Sequence, residues 1–242
     1  MGARWGKSAM KSLKGMSVLV TGGGSGIGLG TARYCIERGA RVTICGRRED
    51  KIQAAAAELG DACCGVAADV TLAADRQKLL EAAIHHGGQL DALINNAGNM
   101  YRGAITELDE TALQEVFHTN VIAAMMLTGL CTPSLAQKEG AVVFVGSIHT
   151  RRAFPGASPY AATKAAVQGL TRVLAAELGE QRIRVNCLLP GAVFTEINQR
   201  AGLMDDETAL QRLEGMSDLH ALGRIGTTEE IAEAMAYLIC AE

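Results

Sequence analysis

The stretch Thr21-Gly22-Gly23-Gly24-Ser25-Gly26-Ile27-Gly28 decides the fold, because it joins a short apolar run at 17–20 to a segment with helical spacing at 27–38. Its glycines allow a tight turn and a close approach of the backbone to an anionic group. The N-terminus of the following helix would face that group. The strict GxGxxG spacing does not occur, so the turn alone is consistent both with a dinucleotide site and with a purely structural connection.

Outward from this turn, short apolar runs alternate with longer segments rich in Ala, Leu, Glu and basic residues. Runs of strand length lie at 17–20, 41–45, 64–68, 92–95, 141–145 and 184–188. Segments of helical length lie at 27–38, 76–86, 111–136, 159–178 and 227–240. This alternation is typical of βαβ units and predicts an α/β fold, a single doubly wound parallel sheet in Rossmann order with helices on both faces.

Composition narrows the class of partner. The 242 residues are 48% apolar, which favours one sizeable hydrophobic core,. The formal net charge of −3 and the pI near 6.0 provide no positive electrostatic field that would attract nucleic acid or an anionic membrane,. No apolar run approaches the eighteen residues that a membrane span needs. We therefore expect a small-molecule partner and a single domain at 15–242, preceded by a loose basic tail at 1–14.

The cysteines and histidines give no sign of a disulfide framework or a metal. Seven cysteines, including the pair Cys63-Cys64, form neither a disulfide pattern nor a CxxC motif,. The histidines lack metal-ligand spacing with Cys or acidic residues. The sequence predicts reduced thiols, a cytoplasmic location and no catalytic metal.

Three polar residues in the second half of the chain suggest acid/base chemistry. Tyr160 and Lys164 are four positions apart in an Ala-rich helical segment, so they lie on one face, one turn apart,. A nearby ammonium favours the phenolate form of a tyrosine, whose pKa is ordinarily about 10. Ser147 follows the fifth apolar run, where its hydroxyl would donate to a substrate carbonyl and stabilise developing charge.

Taken together, these motifs resemble the short-chain dehydrogenase/reductase family over nearly the whole chain. The resemblance is carried by the turn at 21–28, by Asn95-Asn96-Ala97-Gly98, and by Ser147 with Tyr160 and Lys164 thirteen and seventeen positions later. It implies an oxidoreductase that interconverts a ketone and a secondary alcohol, with Tyr160 as the acid/base.

The resemblance also implies roles for further residues. Lys164 would bond the nicotinamide ribose, Asn120 would hold a water in a proton relay, Asp69 would contact the adenine and Thr195 the carboxamide. The implied cofactor-binding residues are Gly22, Gly24, Ser25, Gly26, Ile27, Gly28, Arg47, Arg48, Asp69, Val70, Asn96, Ala97, Gly98, Tyr160, Lys164, Pro190, Gly191, Val193 and Thr195.

Cofactor preference is expected to depend on the end of the second strand. Gly46 stands where an acid would bind the ribose 2′-hydroxyl of NAD, and Arg47 can clamp a 2′-phosphate with charged hydrogen bonds,. This pattern resembles the NADP-preferring members of the family, although Ser25 replaces the basic residue that some of them carry. The sequence predicts NADP, with NAD less favoured; a solvated helix start is the alternative reading of Arg47 and Arg48.

The substrate is less well defined. The section 192–223 is expected to cover it with an apolar lid made of Phe194, Leu203, Met204, Leu210, Leu213 and Met216. Such a lid suits acyl, steroid or other small ketones, with sugars also open; the motifs are shared with bacterial ketoacyl-carrier reductases and polyol dehydrogenases. His149 lies within reach, but a loop histidine with no identified partner is more often structural. Weaker candidates for an anionic substrate are Arg102, Arg151 and Arg152.

Two other classes of function stay open. The chain could be a dinucleotide-binding regulator on the same fold, since fold does not fix function, although a regulator would not need Tyr160. It could also catalyse epimerisation or dehydration.

Assembly is predicted from the family's two-fold interface, which the segments 111–136 and 159–178 would build, giving a homodimer or homotetramer. Relatives usually continue beyond the last helix with a seventh strand. We therefore expect a natural chain longer than 242 residues and, without that strand, an unpaired outer edge on the sixth.

Overall fold

In the computed structural model, which describes residues 12–193, 195, 197, 208, 211 and 215–240, six parallel strands form one sheet in the order β3-β2-β1-β4-β5-β6. The strands are β1 (Ser17–Thr21), β2 (Arg41–Gly46), β3 (Cys63–Ala67), β4 (Ala92–Asn95), β5 (Ala141–Val145) and β6 (Arg184–Leu188). Every strand lies within one residue of its predicted bounds. The predicted doubly wound α/β fold is confirmed.

Helices cover both faces of this sheet. They are α1 (Gly26–Glu37), α2 (Glu49–Leu59), α3 (Ala73–Gly87), α4 (Glu110–Phe117), α5 (Ala123–Ala136), α6 (Ser158–Gly179) and α7 (Thr228–Cys240). The helix α2 is absent from the predicted set because it is mostly exposed and polar, with only Ile52 and Ala55 buried.

Two apolar clusters, one on each face, hold the layers together. On one face α1, α2 and α7 contribute Cys35, Ile52 and Met235. On the other, α3 and α5 contribute Leu79 and Leu127. Because both faces are covered, strands such as β1 and β5 are buried along their whole length, which explains their continuous apolar sequence.

The helical stretch Glu110–Ala136 departs from one expectation. The stretch has 27 residues, and an 18-residue window within it has a mean hydropathy of 1.3, so it is long and apolar enough to cross a membrane, although no such run was expected. The same test is passed by core helices of globular proteins, and α5 packs on the sheet through Leu127, Cys131 and Leu135. About a third of that window is buried within the fold, and Ile122, Met125 and Met126 are apolar side chains left exposed on its outside.

The ends of the chain and the predicted lid are only partly described. Residues 1–11 of the predicted tail lie outside the described residues, and Leu13 of the same predicted tail is buried in the core. In the predicted lid, Phe194, Leu203, Met204, Leu210 and Leu213 lie outside the described residues. Among the described strands, β6 pairs only with β5.

Candidate active site

A groove lies at the carboxyl ends of the strands, where β1 pairs with β2 on one side and with β4 on the other. At this point the direction of winding reverses, which is where open α/β sheets bind ligands. One cavity in the groove has a volume of about 170 Å³ and is lined by Ser147, Tyr160 and Lys164. A second cavity of about 310 Å³ shares Gly22 and Ser25 with it. The two cavities therefore adjoin each other at these two residues.

The glycine-rich turn forms the floor where the two cavities meet. Gly26 has a φ of +54°, which favours glycine,. A Cβ on Gly28 would collide with the carbonyl oxygen of Gly22 and lie 2.6 Å from Nδ2 of Asn96. The helix α1 begins at Gly26, so its free N–H groups face the groove,. This cradle of bare backbone fits a dinucleotide pyrophosphate.

The segment after β4 braces that turn. Nδ2 of Asn96 donates to the carbonyl oxygens of Thr21 and Gly22 at 2.8 and 3.0 Å. The hydroxyl oxygen of Thr21 accepts hydrogen bonds from the backbone N–H groups of Asn96 and Ala97. Asn96 and Ala97 thus fix the shape of the turn, and Asn96 and Gly98 also line the first cavity.

The second cavity is lined by three basic side chains, Arg47, Arg48 and Lys51. Arg47 and Arg48 connect β2 to α2, and Lys51 lies in the first turn of that helix. The sequence motifs assigned no role to Lys51. It lies three residues after Arg48, a spacing that brings two side chains to one face of a helix.

Ser147, Tyr160 and Lys164 are brought together in the first cavity, and all three are buried. Ser147 follows β5, whereas Tyr160 and Lys164 are one turn apart in α6. The Lys164 ammonium donates to the carbonyl oxygen of Val145 at 2.7 Å and lies 5.5 Å from the centre of the Tyr160 ring.

Burial, rather than the neighbouring ammonium of Lys164, has the largest effect on the titration of Tyr160. Burial raises the pKa of Tyr160 to about 12, while the hydrogen bond from Ser147 and the charge of Arg102 act to lower it. Burial also lowers the pKa of Lys164 to about 8. The cost of burying a charged form outweighs the neighbouring charges, so Tyr160 keeps its proton at neutral pH.

Asn120 lies behind the cavity, in a π-helical turn, His118–Ile122, between α4 and α5. Its Oδ1 accepts from the N–H of Asn99 at 2.8 Å, and its Nδ2 donates to the Asn99 carbonyl oxygen and to the Thr163 hydroxyl. A Cβ on Gly98 would lie 3.3 Å from Asn120 Oδ1 and 3.5 Å from Lys164 Nζ. Asn120 and Lys164 therefore approach each other across Gly98.

His149 joins Ser147 to a cation. Its Nδ1 lies 3.0 Å from the Ser147 hydroxyl oxygen, and its Nε2 lies 3.3 Å from Nη2 of Arg102. The imidazole ring also packs 4.4 Å from the Phe154 ring and edge-on to Tyr160 at 5.1 Å. His149 therefore has partners that sequence reasoning did not identify.

The segment after β6 closes the other side of the first cavity. Pro190, Gly191, Val193 and Thr195 line it, as do Ile27 from α1 and Met216. His220, which sequence reasoning assigned no role, accepts a hydrogen bond from the N–H of Ala192 at 3.1 Å. Its Nδ1 lies 3.0 Å from the Met216 carbonyl oxygen. His220 thereby connects the wall of the cavity to the end of the substrate-covering section.

Four predicted cofactor residues lie outside the lining of both cavities: Gly28 and Ala97, which belong to the glycine-rich turn and its brace, and Asp69 and Val70. The Asp69 carboxylate accepts hydrogen bonds from the backbone and the hydroxyl of Thr71 at 2.9 and 2.7 Å. Val70 is buried in the core. Gly24, by contrast, lines the second cavity. Among the side chains that the structure describes, no cluster of three or more His, Cys, Asp or Glu is placed to hold a metal.

Comparison with known proteins agrees with this geometry. A family described as short chain dehydrogenase matches residues 16–206. The chain belongs to the short-chain dehydrogenase/reductase family. Within that family it is an NAD(P)-dependent oxidoreductase that acts on the CH–OH/C=O group.

Its relatives cover the chain almost end to end. "Dehydrogenase/reductase SDR family member 4" of Sus scrofa is 33% identical over 99% of this chain and 86% of its own length. L-fucose dehydrogenase of Bos taurus is 35% identical, covering 93% and 83%. The structure of a 3-ketoacyl-(acyl-carrier-protein) reductase from Brucella melitensis, complexed with NADH, has a TM-score of 0.86 at 31% identity, covering 95% and 92%.

Proposed function

We propose that this chain is an NADP-dependent oxidoreductase that interconverts a ketone and a secondary alcohol. The observation that carries the proposal is that two cavities adjoin at the glycine-rich turn, one lined by Ser147, Tyr160 and Lys164 and the other by Arg47, Arg48 and Lys51. The first provides the proton chemistry of a carbonyl reduction and the second provides charge for a phosphorylated ribose.

The preference for NADP is supported by the charge of the second cavity. Arg47, Arg48 and Lys51 line it, and Gly46 leaves no carboxylate where NAD would need an acceptor for its 2′-hydroxyl,. An Arg pairs with phosphate through two parallel charged hydrogen bonds, which makes it a stronger phosphate ligand than a neutral side chain. The similar Brucella reductase was solved with NADH, so the activity of this chain has to be compared with NADPH and with NADH.

The proposed roles follow from the first cavity. When bound, the nicotinamide supplies the hydride for reduction. Tyr160 holds its proton at neutral pH, because burial raises its pKa to about 12, and it gives that proton to the carbonyl oxygen,. Ser147 donates a hydrogen bond to the same oxygen. Lys164 holds the nicotinamide ribose, and Asn120, close to Lys164 across Gly98, holds a water that returns the proton to Tyr160.

The substrate is a small ketone or the matching alcohol. Apolar side chains of Met100, Ile148, Phe154 and Met216 line the cavity beside Ser147 and Tyr160. Such a lining favours substrates with an apolar body next to the carbonyl. Because similar proteins are named for L-fucose and for 3-ketoacyl substrates, both sugars and acyl ketones should be tested as substrates.

A panel of ketones and alcohols, assayed with NADPH, NADH and their oxidised forms, tests the proposal. We expect cofactor oxidation that depends on at least one ketone, with the alcohol as product. A regulator would bind NADPH but turn over no member of the panel. An epimerase or dehydratase would form product without net consumption of cofactor.

We also propose at least a homodimer, formed by the exposed faces of the stretch Glu110–Ala136 and of α6. Three apolar side chains on the first face are about half exposed, Ile122 at 48%, Met125 at 44% and Met126 at 54%, and Val173 on α6 is 54% exposed. Exposed apolar side chains that cluster on the surface of a protein often belong to interaction sites.

Replacement of Met126 by Glu is expected to turn the dimer into a monomer at micromolar concentration, because the interface would then bury an unpaired carboxylate. Light scattering measures the mass of each form. Leu72→Glu, at an equally exposed apolar position just before α3, should leave the dimer intact. A wild-type monomer would refute the predicted interface.

A further inference from the structure

The hydroxyl of Ser147 has two contacts with one residue, His149. The backbone N–H of His149 donates to the Ser147 oxygen at 3.2 Å. The Nδ1 atom of the same residue lies 3.0 Å from that oxygen. A serine hydroxyl can accept two hydrogen bonds and donate one, so the protonation of Nδ1 decides where the serine proton points.

The position of Arg102 determines which ring nitrogen of His149 carries the proton. Its guanidinium can only donate hydrogen bonds, and Nη2 lies 3.3 Å from Nε2 of His149. Nε2 must therefore accept. Burial and the charge of Arg102 lower the pKa of His149 to about 4, so the ring is neutral at pH 7 and carries its single proton on Nδ1.

With a proton on Nδ1, His149 donates twice to Ser147. Both acceptor positions of the serine oxygen are then used, and its own proton must be donated elsewhere. Ser147 lines the first cavity together with Tyr160, so the space left for this proton is the cavity in which the substrate carbonyl would lie. Packing of the His149 ring against Phe154 and Tyr160 keeps this arrangement in place.

We propose that His149, held by Arg102, is a positioning residue that fixes the Ser147 hydroxyl as a donor toward the substrate carbonyl. Without the His149 imidazole, the Ser147 hydroxyl would rotate among several acceptors. In part of the enzyme molecules the serine oxygen would then direct a lone pair, rather than its proton, at the substrate carbonyl. The proposal rests on the proposed function, because it assigns the direction of a hydrogen bond that carbonyl reduction uses. His149 acts through Ser147 and needs no contact with the substrate.

The first test needs no turnover. Nitrogen-15 NMR of histidine-labelled protein near pH 7, with His149→Asn to assign the signal, reports which ring nitrogen carries the proton. The Nδ1–H tautomer is expected. An Nε2–H tautomer, or a doubly protonated ring, would overturn the proposal, because Nδ1 would then accept from Ser147 or Arg102 would face a donor.

The second test is a double-mutant comparison with a substrate from the panel. His149→Ala is expected to lower kcat by about tenfold, the effect of one hydrogen bond of ~1.4 kcal/mol, with KM and NADPH affinity little changed. His149→Asn, which retains an N–H near the Nδ1 position, should recover most of the loss. In a Ser147→Ala background, His149→Ala should cause no further loss. An equal tenfold loss in both backgrounds would show that His149 acts independently of Ser147, and the proposal would fail.

His85→Ala is the matched control, because this exposed histidine near the end of α3 should leave kcat unchanged. Failure of the proposed function gives a different result. If Ser147→Ala and Tyr160→Phe both keep wild-type turnover, the proposed carbonyl reduction is wrong. The proposed role of His149 in orienting the Ser147 hydroxyl is then refuted as well. If both lose turnover while His149→Ala does not, only the positioning role is refuted.

Discussion

Tyr160→Phe is expected to lower kcat by about 10²-fold or more, the scale of lost general acid/base catalysis. The phenol lies beside Ser147 and Lys164 in the first cavity, where it would give its proton to the carbonyl oxygen. The variant removes a single oxygen from a buried ring, so the packing against His149 is retained. Affinity for NADPH, measured by fluorescence titration, should stay close to that of the wild type.

Tyr34→Phe provides the control for this substitution. Tyr34 lies in α1, where its ring stacks under the Arg38 guanidinium at 3.3 Å, away from the groove. This variant should keep full activity. Near-normal turnover of Tyr160→Phe with a verified substrate would show that the proton comes from another group.

The second large effect is expected in cofactor choice. Wild-type kcat/KM should be higher with NADPH than with NADH. Arg47→Ala should lower the NADPH value by about 10- to 100-fold, since a hydrogen bond to a charged group contributes roughly 1.5–3 kcal/mol. The NADH value should change little. Arg33→Ala, which removes an arginine paired with Glu58 on the outside of α1, should affect neither.

The double variant Gly46→Asp with Arg47→Ala should prefer NADH. It adds a carboxylate for the ribose 2′-hydroxyl and removes the phosphate ligand. A Cβ at Gly46 would lie 3.1 Å from Cδ1 of Ile52, so the Ile52 side chain must shift by a few tenths of an ångström. If the wild type already favours NADH, or if Arg47→Ala leaves NADPH use unchanged, then Ser25 was the better indicator and the chain is NAD-dependent.

The strands and the main motifs could be predicted because their signals are local. β1, β4 and β5 are buried apolar runs, and Tyr160 and Lys164 need only helical spacing to share a face. The helix α2 escaped prediction because only Ile52 and Ala55 of its residues are buried. Without α2, nothing in the sequence placed Lys51 beside Arg47.

Other features depend on contacts between distant parts of the chain. Arg102 and His149 are 47 positions apart, yet they share a hydrogen bond that determines the protonation of the imidazole. Burial raises the pKa of Tyr160 to about 12 and outweighs the charge of Arg102, which comes from a distant part of the chain. A sequence pattern identifies such residues, but their electrostatic state follows from tertiary packing.

Transfer of deuterium from NADPH to product tests the central claim most directly. The enzyme would be incubated with NADPH deuterated at C4 of the nicotinamide, on the transferred face, and with the best ketone of the panel. Mass spectrometry and NMR of the alcohol would then locate the label. We predict one deuterium on the carbinol carbon with the wild type, and a rate at least about 10²-fold lower with Tyr160→Phe. An alcohol free of label, with both cofactor faces tested, would contradict hydride transfer to the carbonyl carbon and with it the proposed function.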